Sequence, residues 1–283
     1  MKYAIYMPAA GDHADPCALA NLAREAEAAG WDGFFLWDHI TMGWTDHATD
    51  PWIALAAIGS STSRIRIGTT VTPLPRRRPW KVARETVALD HLSGGRFILG
   101  VGTGGGKEEW DNLGEESDPA VRGAMLDEAL EVLTRLWSGE VVNFEGRYYQ
   151  VRDTCFRPTP LQSPRIPIWV GGFWPNKRPF RRAARWDGAF PLFNAERERV
   201  LAQFKEAVAY VRACRENNAS FDIISVGYTS KDHAQAAERV APYAEAGATW
   251  WLECLDPWRF GWNAQREWPA AAIRERVLQG PPA

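Results

Sequence analysis

The chain alternates extended and helical patterns eight times, and this alternation limits its fold more than any other feature. Short apolar runs rich in β-branched and aromatic residues recur, and an amphipathic stretch follows each of them. Strands with nearly continuous apolar runs are buried on both faces, as parallel strands are. Eight βα units therefore predict an α/β fold, a (β/α)8 TIM barrel, in preference to an open doubly wound sheet. The predicted strands are 3–7, 32–37, 64–71, 96–102, 168–172, 188–191, 223–229 and 248–254.

Local signals support the predicted helices. Asp15-Pro16 and Asp50-Pro51 each offer an N-cap side chain followed by a proline at the first turn, and Gly30 offers a stop. The regions 103–118 and 139–167 are the least regular, and we interpret both as loop insertions at the C-terminal face of the barrel, shaping the substrate pocket. No linker or repeat interrupts the pattern, which predicts a single domain over residues 1–283.

Charge and composition exclude several classes of protein. The 33 basic and 35 acidic residues give a net charge of −2, which does not favour a nucleic-acid or membrane partner. The 4 cysteines are scattered without a CxxC pair, and the histidines lack metal-ligand spacing, so no metal site is predicted. The N-terminal apolar run is too short for a secretory signal. We expect a cytoplasmic protein.

An unusual loop follows the third predicted strand. The segment TPLPRRRPW, residues 72–80, combines prolines, three arginines and a tryptophan at the end where barrel active sites lie. The threonines before it place hydroxyl groups near the barrel axis. The arginines either face an anion, such as a phosphate, or form a solvated surface run paired with acidic residues.

The segment that contains this loop resembles a known family. Residues 68–104, GTTVTPLPRRRPWKVARETVALDHLSGGRFILGVGTG, are similar to the central signature of the luciferase-like monooxygenases, a class of flavin- and F420-dependent oxidoreductases. The resemblance spans about residues 5 to 250 and implies a TIM barrel with FMN or the deazaflavin F420 at the carboxyl ends of its strands. Supporting segments are GFFLWDH (33–39), DPWIALAAI (50–58), RIPIWVGG (165–172) and RRAARWDGAFP (181–191).

The resemblance also implies a catalytic pair. Asp38 and His39 follow the second strand, where the family carries an Asp-His pair, and histidine has an ordinary pKa of about 6.5 that suits proton transfer. The alternative is a structural histidine. The F420-dependent sugar-phosphate dehydrogenases of the family carry an active-site glutamate where this chain has Gly105. That departure argues against sugar-phosphate oxidation, and Glu109, four residues on, becomes the candidate acid.

The predicted cofactor contacts lie at or after the ends of the second to fifth strands. The resemblance implies a nonprolyl cis peptide behind the isoalloxazine ring, at Thr70–Val71 or an immediate neighbour. Trp44 is a candidate pocket wall, although the family's tryptophan lies one position closer to the histidine. Glycines after the fifth strand either let a phosphate approach the backbone or form a tight turn. The predicted cofactor-binding residues are Trp44, Thr70, Val71, Gly102, Thr103, Gly171, Gly172 and Arg178.

Four functions remain open. We favour a monooxygenase that uses reduced FMN from a separate flavin reductase, because the acid after the fourth strand is missing. An F420-dependent oxidoreductase that transfers hydride is the alternative. The others are a barrel that binds flavin without turnover and a cofactor-free enzyme that uses Asp38 and Glu109. The substrate is expected to be a small organic molecule, and a homodimer is expected from the resemblance.

Overall fold

The computed structural model describes residues 1–263 and 265–282. Within them the regular elements, in chain order, are β1 (Lys2–Met7), α1 (Pro16–Ala28), β2 (Gly33–Leu36), α2 (Pro51–Ser61), β3 (Arg66–Pro73), α3 (Pro79–Leu92), β4 (Phe97–Gly102), α4 (Glu108–Asp111), α5 (Pro119–Leu136), β5 (Val141–Glu145), β6 (Gln150–Cys155), β7 (Ile168–Trp174), α6 (Lys177–Ala183), β8 (Gly188–Phe193), α7 (Arg197–Ala213), β9 (Asp222–Gly227), α8 (His233–Glu245), β10 (Trp250–Cys254) and α9 (Ala270–Leu278). Three short 3₁₀ helices, Gly11–His13, Leu74–Arg76 and Pro257–Phe260, follow β1, β3 and β10.

Eight parallel strands close into a barrel. Their order around it is β1-β10-β9-β8-β7-β4-β3-β2, and Ala4 of β1 pairs with Leu252 on one side and Gly33 on the other. The predicted (β/α)8 barrel is confirmed. The predicted helix starts hold as well, since Asp15 accepts a hydrogen bond from the Cys17 N–H and Asp50 from the Trp52 and Ile53 N–H groups.

The interpretation of residues 139–167 as an insertion at the C-terminal face is wrong. This segment forms the antiparallel β5–β6 hairpin outside the barrel. It connects the end of α5 to the start of β7, so it leaves and re-enters the barrel at the amino ends of the strands. Consistent with this, Gln162 donates to the carbonyl of Phe97, the first residue of β4. Residues 103–118, which follow β4, do lie at the carboxyl ends.

An inner core fills the barrel. Its members alternate along the strands with residues that face the outer helices, as the twofold period of a strand requires. The β3 strand contributes no side chain there, because a Cβ on Gly68 would lie 2.1 Å from the carbonyl oxygen of Ile98. The inner core consists of Ala4, Phe35, Ile98, Trp169, Phe190, Ile224, Trp250 and Leu252.

The inner core ends below the opening at the carboxyl ends of the strands, which we call the mouth. Tyr6, Val71, Leu192 and Val226 are only partly buried and pack on the inner core. These four side chains, from four different strands, form the floor of the mouth. None of the described helices is both long enough and apolar enough to cross a bilayer.

Candidate active site

The second strand places two aromatic rings at one side of the mouth. Phe35 belongs to the inner core, and Trp37 and His39 follow it at intervals of two. The ring centroids of Trp37 and His39 lie 6.1 Å apart, and those of Trp37 and Tyr6 lie 5.3 Å apart. A third of the His39 side chain, 34%, is exposed. His39 therefore lies where a ligand in the mouth can reach it, as predicted.

The carboxylate partner of His39 is Glu109. The Nδ1 atom of His39 lies 3.2 Å from Oε2 of Glu109, and the Glu109 side chain is only 2% exposed. The other carboxylate oxygen accepts hydrogen bonds from the N–H groups of Ile40 (2.7 Å) and Thr41 (3.3 Å). The short helix α4 thus carries Glu109 under the loop that contains His39.

Glu109 is held in its charged form. Burial raises the pKa of Glu109, but His39, the Arg76 guanidinium and the Ile40 N–H together outweigh it, so the pKa lies below its ordinary value. A carboxylate at Nδ1 favours the tautomer that carries its proton there. The second ring nitrogen, Nε2, is then available to exchange a proton with a ligand.

Asp38, the sequence neighbour of His39, has a different environment. It is 2% exposed and its Oδ1 accepts from the guanidinium groups of Arg76 (2.9 Å) and Arg77 (3.1 Å). Its Oδ2 accepts from Trp52 Nε1 (2.8 Å) and Thr72 Oγ1 (2.7 Å). Burial raises the pKa of Asp38, and the two arginines and these two donors lower it further than burial raises it.

This network encloses Asp38. Both of its oxygens are engaged inside the protein, so the geometry does not support the prediction that Asp38 itself transfers a proton. Arg76 links the two carboxylates, because it bonds to Asp38 and its Nη1 lies 3.1 Å from Oε2 of Glu109. The Arg76 side chain is 1% exposed. Two of the three arginines in the loop therefore pair with acidic residues, but in the interior and not on a solvated surface.

Small residues form the neighbouring wall of the mouth, on β3, β4 and β7. The Thr70–Val71 peptide bond is cis, as predicted. A Cβ on Gly102 would lie 2.8 Å from one methyl group of Val71, and a Cβ on Gly171 would lie 2.7 Å from the other. These glycines therefore make room for the Val71 side chain.

This wall fits a planar heterocycle with a polar edge. Thr70 is 3% exposed, and its Oγ1 atom has no hydrogen-bond partner among the described residues. A buried hydroxyl without a partner is costly, and a bound ring with polar atoms would satisfy it. The Val71 side chain packs between the two glycines and is partly exposed at the mouth, where a ring would contact it.

Three of the predicted cofactor-binding residues, Thr103, Gly172 and Arg178, lie at or after the carboxyl ends of β4 and β7. Thr103 and Arg178 line one cavity of about 320 Å³ between α5 and α6. Packing within the protein explains the glycine at position 172, because a Cβ there would lie 2.3 Å from Cβ of Pro179. The glycine allows close packing of β7 against α6, and direct contact of Gly172 with a cofactor stays a prediction.

Trp44 belongs to a cluster of four tryptophans. Its ring centroid lies 4.9 Å from that of Trp258, 5.6 Å from that of Trp262 and 6.2 Å from that of Trp268. Trp268 in turn donates from Nε1 to Nδ1 of His13 (2.9 Å). The cluster joins the segments that follow β1, β2 and β10, and the role of Trp44 as a pocket wall stays a prediction.

Two features of the site were missed from the sequence. Tyr6 and Trp37 could have been found, since strand alternation places both on the inner side of the barrel. The pairing of His39 with Glu109 had no sequence signal beyond the position of both residues after a strand, because it depends on how residues 103–111 fold back over the mouth.

Comparison with known proteins identifies the family. Residues 3–276 match the model of the luciferase-like monooxygenase family, and the chain belongs to that family. The predicted resemblance is thereby confirmed, and with it the general class of flavin- or deazaflavin-dependent oxidoreductases at the level of the family.

Individual relatives are more distant. An F420-dependent glucose-6-phosphate dehydrogenase from Microbacterium testaceum is 36% identical over 172 residues, 59% of this chain and 50% of that protein. The match thus spans about half the length of this relative. An F420-dependent secondary alcohol dehydrogenase in complex with an F420-acetone adduct has a similar structure (TM-score 0.75, 17% identity, 98% of both chains). The monooxygenase RslO1 from Streptomyces bottropensis also has this fold (TM-score 0.67, 22% identity, 87% of this chain and 77% of that chain).

Proposed function

We propose that this protein is an F420-dependent oxidoreductase that oxidises or reduces a small organic substrate, with His39 as its proton-transfer residue. The contact of His39 Nδ1 with the buried carboxylate of Glu109 carries the proposal. It supplies a polarised imidazole at the mouth, after the strand that adjoins the small-residue wall.

The same contact removes the main reason to favour FMN. The FMN monooxygenase hypothesis rested on the lack of an acid at Gly105. Glu109, from the same loop, brings a carboxylate to His39 from a position four residues later. The similarity to an F420-dependent dehydrogenase points in the same direction.

In this reaction the named residues would have separate roles. Thr70, Val71 and Gly102 would hold the deazaflavin ring, and Thr103 and Arg178 would lie near its phosphate. Bound F420 supplies a carbon that accepts or donates hydride. His39 takes the proton from a substrate hydroxyl through Nε2, or returns it to a carbonyl oxygen, and Glu109 stabilises the charged imidazole. Asp38 and Arg76 keep Glu109 in place.

Cofactor binding provides the first test. The purified protein is titrated separately with F420, with reduced F420 and with reduced FMN, and tryptophan fluorescence is followed. We expect saturable quenching by F420 at lower concentrations than by FMN. Tighter binding of reduced FMN, with oxygen-dependent turnover in the presence of a flavin reductase, would instead establish the monooxygenase. No binding of any of the three would reject both.

A matched pair of variants tests the role of His39. We expect His39→Asn to retain F420 affinity within about twofold and to lose F420-linked turnover of alcohols or carbonyl compounds by roughly 10²–10⁴-fold. The control is His47→Asn, which changes an exposed histidine in the same loop. Equal turnover in the two variants would contradict the assignment.

A further inference from the structure

We propose that a groove between α5 and α6 binds an anionic chain that continues past the cofactor's phosphate, and that this chain is the γ-glutamyl tail of F420. We call it the arginine groove and define it by Asp127, Arg178, Arg181, Arg182 and Arg185. The inference rests on the proposed function and deepens it, because it names the part of the cofactor that the barrel mouth does not hold.

The groove continues outward from the active site. The cavity that contains Thr103, at the carboxyl end of β4, also contains Asp127, Arg178 and Arg182. A second cavity of 330 Å³ shares these last three residues and adds Arg181 and Arg185. The two cavities therefore adjoin, and together they lead from the mouth to the outer surface of α6.

One arginine of the groove is fixed and neutralised. Arg182 donates from Nε and Nη2 to the Asp127 carboxylate (2.6 and 2.9 Å) and from Nη2 to the carbonyl of Gly123 (2.9 Å). Its side chain is 9% exposed. This pair joins α6 to α5 and forms the rigid base of the groove.

The other three arginines carry unmatched charge. Arg178, Arg181 and Arg185 are exposed, and none of them forms a salt bridge within the described residues. Their spacing of three and four places them on one face of α6 and the turn after it. A helical rise over this interval corresponds to roughly 10 Å. Three guanidinium groups spread over that distance exceed what one phosphate can contact.

The row of charges therefore fits a ligand with several anionic groups in sequence. Two types of cofactor carry several anionic groups in sequence. F420 has a side chain that continues past its phosphate into γ-linked glutamates, and a flavin dinucleotide has a second phosphate. The planar geometry of a guanidinium group suits both carboxylate and phosphate as partners. We commit to the glutamyl tail, because the Glu109–His39 pair favours F420 at the ring end of the same site.

The experiment compares cofactors that differ only beyond the phosphate. Dissociation constants of the purified protein are measured by tryptophan quenching for F420 with several glutamates, for the form without glutamates, for FMN and for FAD. We expect the glutamylated form to bind about three- to tenfold more tightly than the form without glutamates at low salt. The advantage should shrink as salt is raised.

Variants then locate the effect. In Arg181→Gln/Arg185→Gln we expect the advantage of the glutamylated form to disappear, with the affinity for the form without glutamates unchanged. Arg199→Gln, an exposed arginine of α7, is the control and should retain the advantage. Equal affinity for both forms of F420 in the unaltered protein would overturn the inference and leave the proposed function standing. An advantage confined to FAD would assign the groove to a dinucleotide. No binding of either form of F420 would reject the proposed function itself.

Discussion

The Nδ1 atom of His39 and the Oε2 atom of Glu109 lie 3.2 Å apart, at the end of a buried chain of charges that runs through Arg76 to Asp38. The imidazole is the exposed end of this series of charges. The side chains of Glu109, Arg76 and Asp38 are at most 2% exposed. In the proposed reaction, a proton taken up at the imidazole would lie next to the buried carboxylate of Glu109.

Removing the charge of Glu109 should slow the reaction without preventing cofactor binding. We expect Glu109→Gln to lower kcat by about 10–100-fold, because the charged imidazole loses its partner. The dissociation constant for F420 should stay within about twofold. The matched control is Glu108→Gln, an exposed neighbour on the same short helix. A fall in affinity with kcat unchanged would show that Glu109 acts on the cofactor and not on His39.

Asp38→Asn should destabilise the fold strongly. The substitution leaves Arg76 and Arg77 without their shared carboxylate in a buried site, a change that costs about 3–5 kcal/mol. Urea unfolding followed by tryptophan fluorescence measures the free energy of unfolding. Asp46→Asn, at an exposed position of the same loop, should change it by less than about 0.5 kcal/mol. Similar values for the two variants would mean that the Asp38 network is dispensable.

His13 should make stability depend on pH. Burial lowers the pKa of His13 from 6.5 to about 4. Between pH 6.5 and pH 4 the unfolded chain therefore binds a proton at His13 and the folded chain does not. Stability therefore falls as the pH is lowered from 6.5 to 4, by about 3 kcal/mol in total. In His13→Gln this contribution should be absent. The check is the difference in unfolding free energy between the two proteins at several pH values, which should be constant above pH 7 and change only below it.

A methyl group at Gly171 should disturb the wall of the mouth. Its carbon would lie 2.7 Å from a methyl group of Val71, so we expect Gly171→Ala to cost about 1–3 kcal/mol of stability and to weaken F420 binding. Adding Val71→Ala should recover part of the stability, and a double-mutant cycle measures the coupling. Gly105→Ala is the control, because no atom lies within 4 Å of its added carbon. Additive effects at Gly171 and Val71 would contradict the proposed contact.

The barrel could be predicted because every strand carries its own signal. Apolar runs and helix caps are local, and closure follows once eight parallel units are counted. The position of His39 at the mouth followed from the same logic. The placement of the hairpin at residues 139–167 was also decidable, since a segment between a helix and the next strand leaves the barrel at the amino ends, but its irregular sequence was interpreted without that rule.

The partners of individual charges could not be predicted. Asp38 and Glu109 are both acidic residues after a strand, and nothing local shows that the first is enclosed by Trp52, Thr72 and two arginines while the second reaches His39. These contacts depend on loops that fold over one another. Likewise, only the structure shows that the Thr70 hydroxyl lacks a hydrogen-bond partner among the described residues.

The aromatic filling of the barrel has a kinetic consequence. Phe35, Trp169 and Trp250 fill the barrel below the mouth. Cofactor and substrate would therefore enter and leave through the same opening. In the proposed complex the heterocycle lies deeper, against Val71, so it has to arrive before the substrate and depart after it. Steady-state inhibition by products should accordingly follow an ordered pattern, with the heterocycle first in and last out.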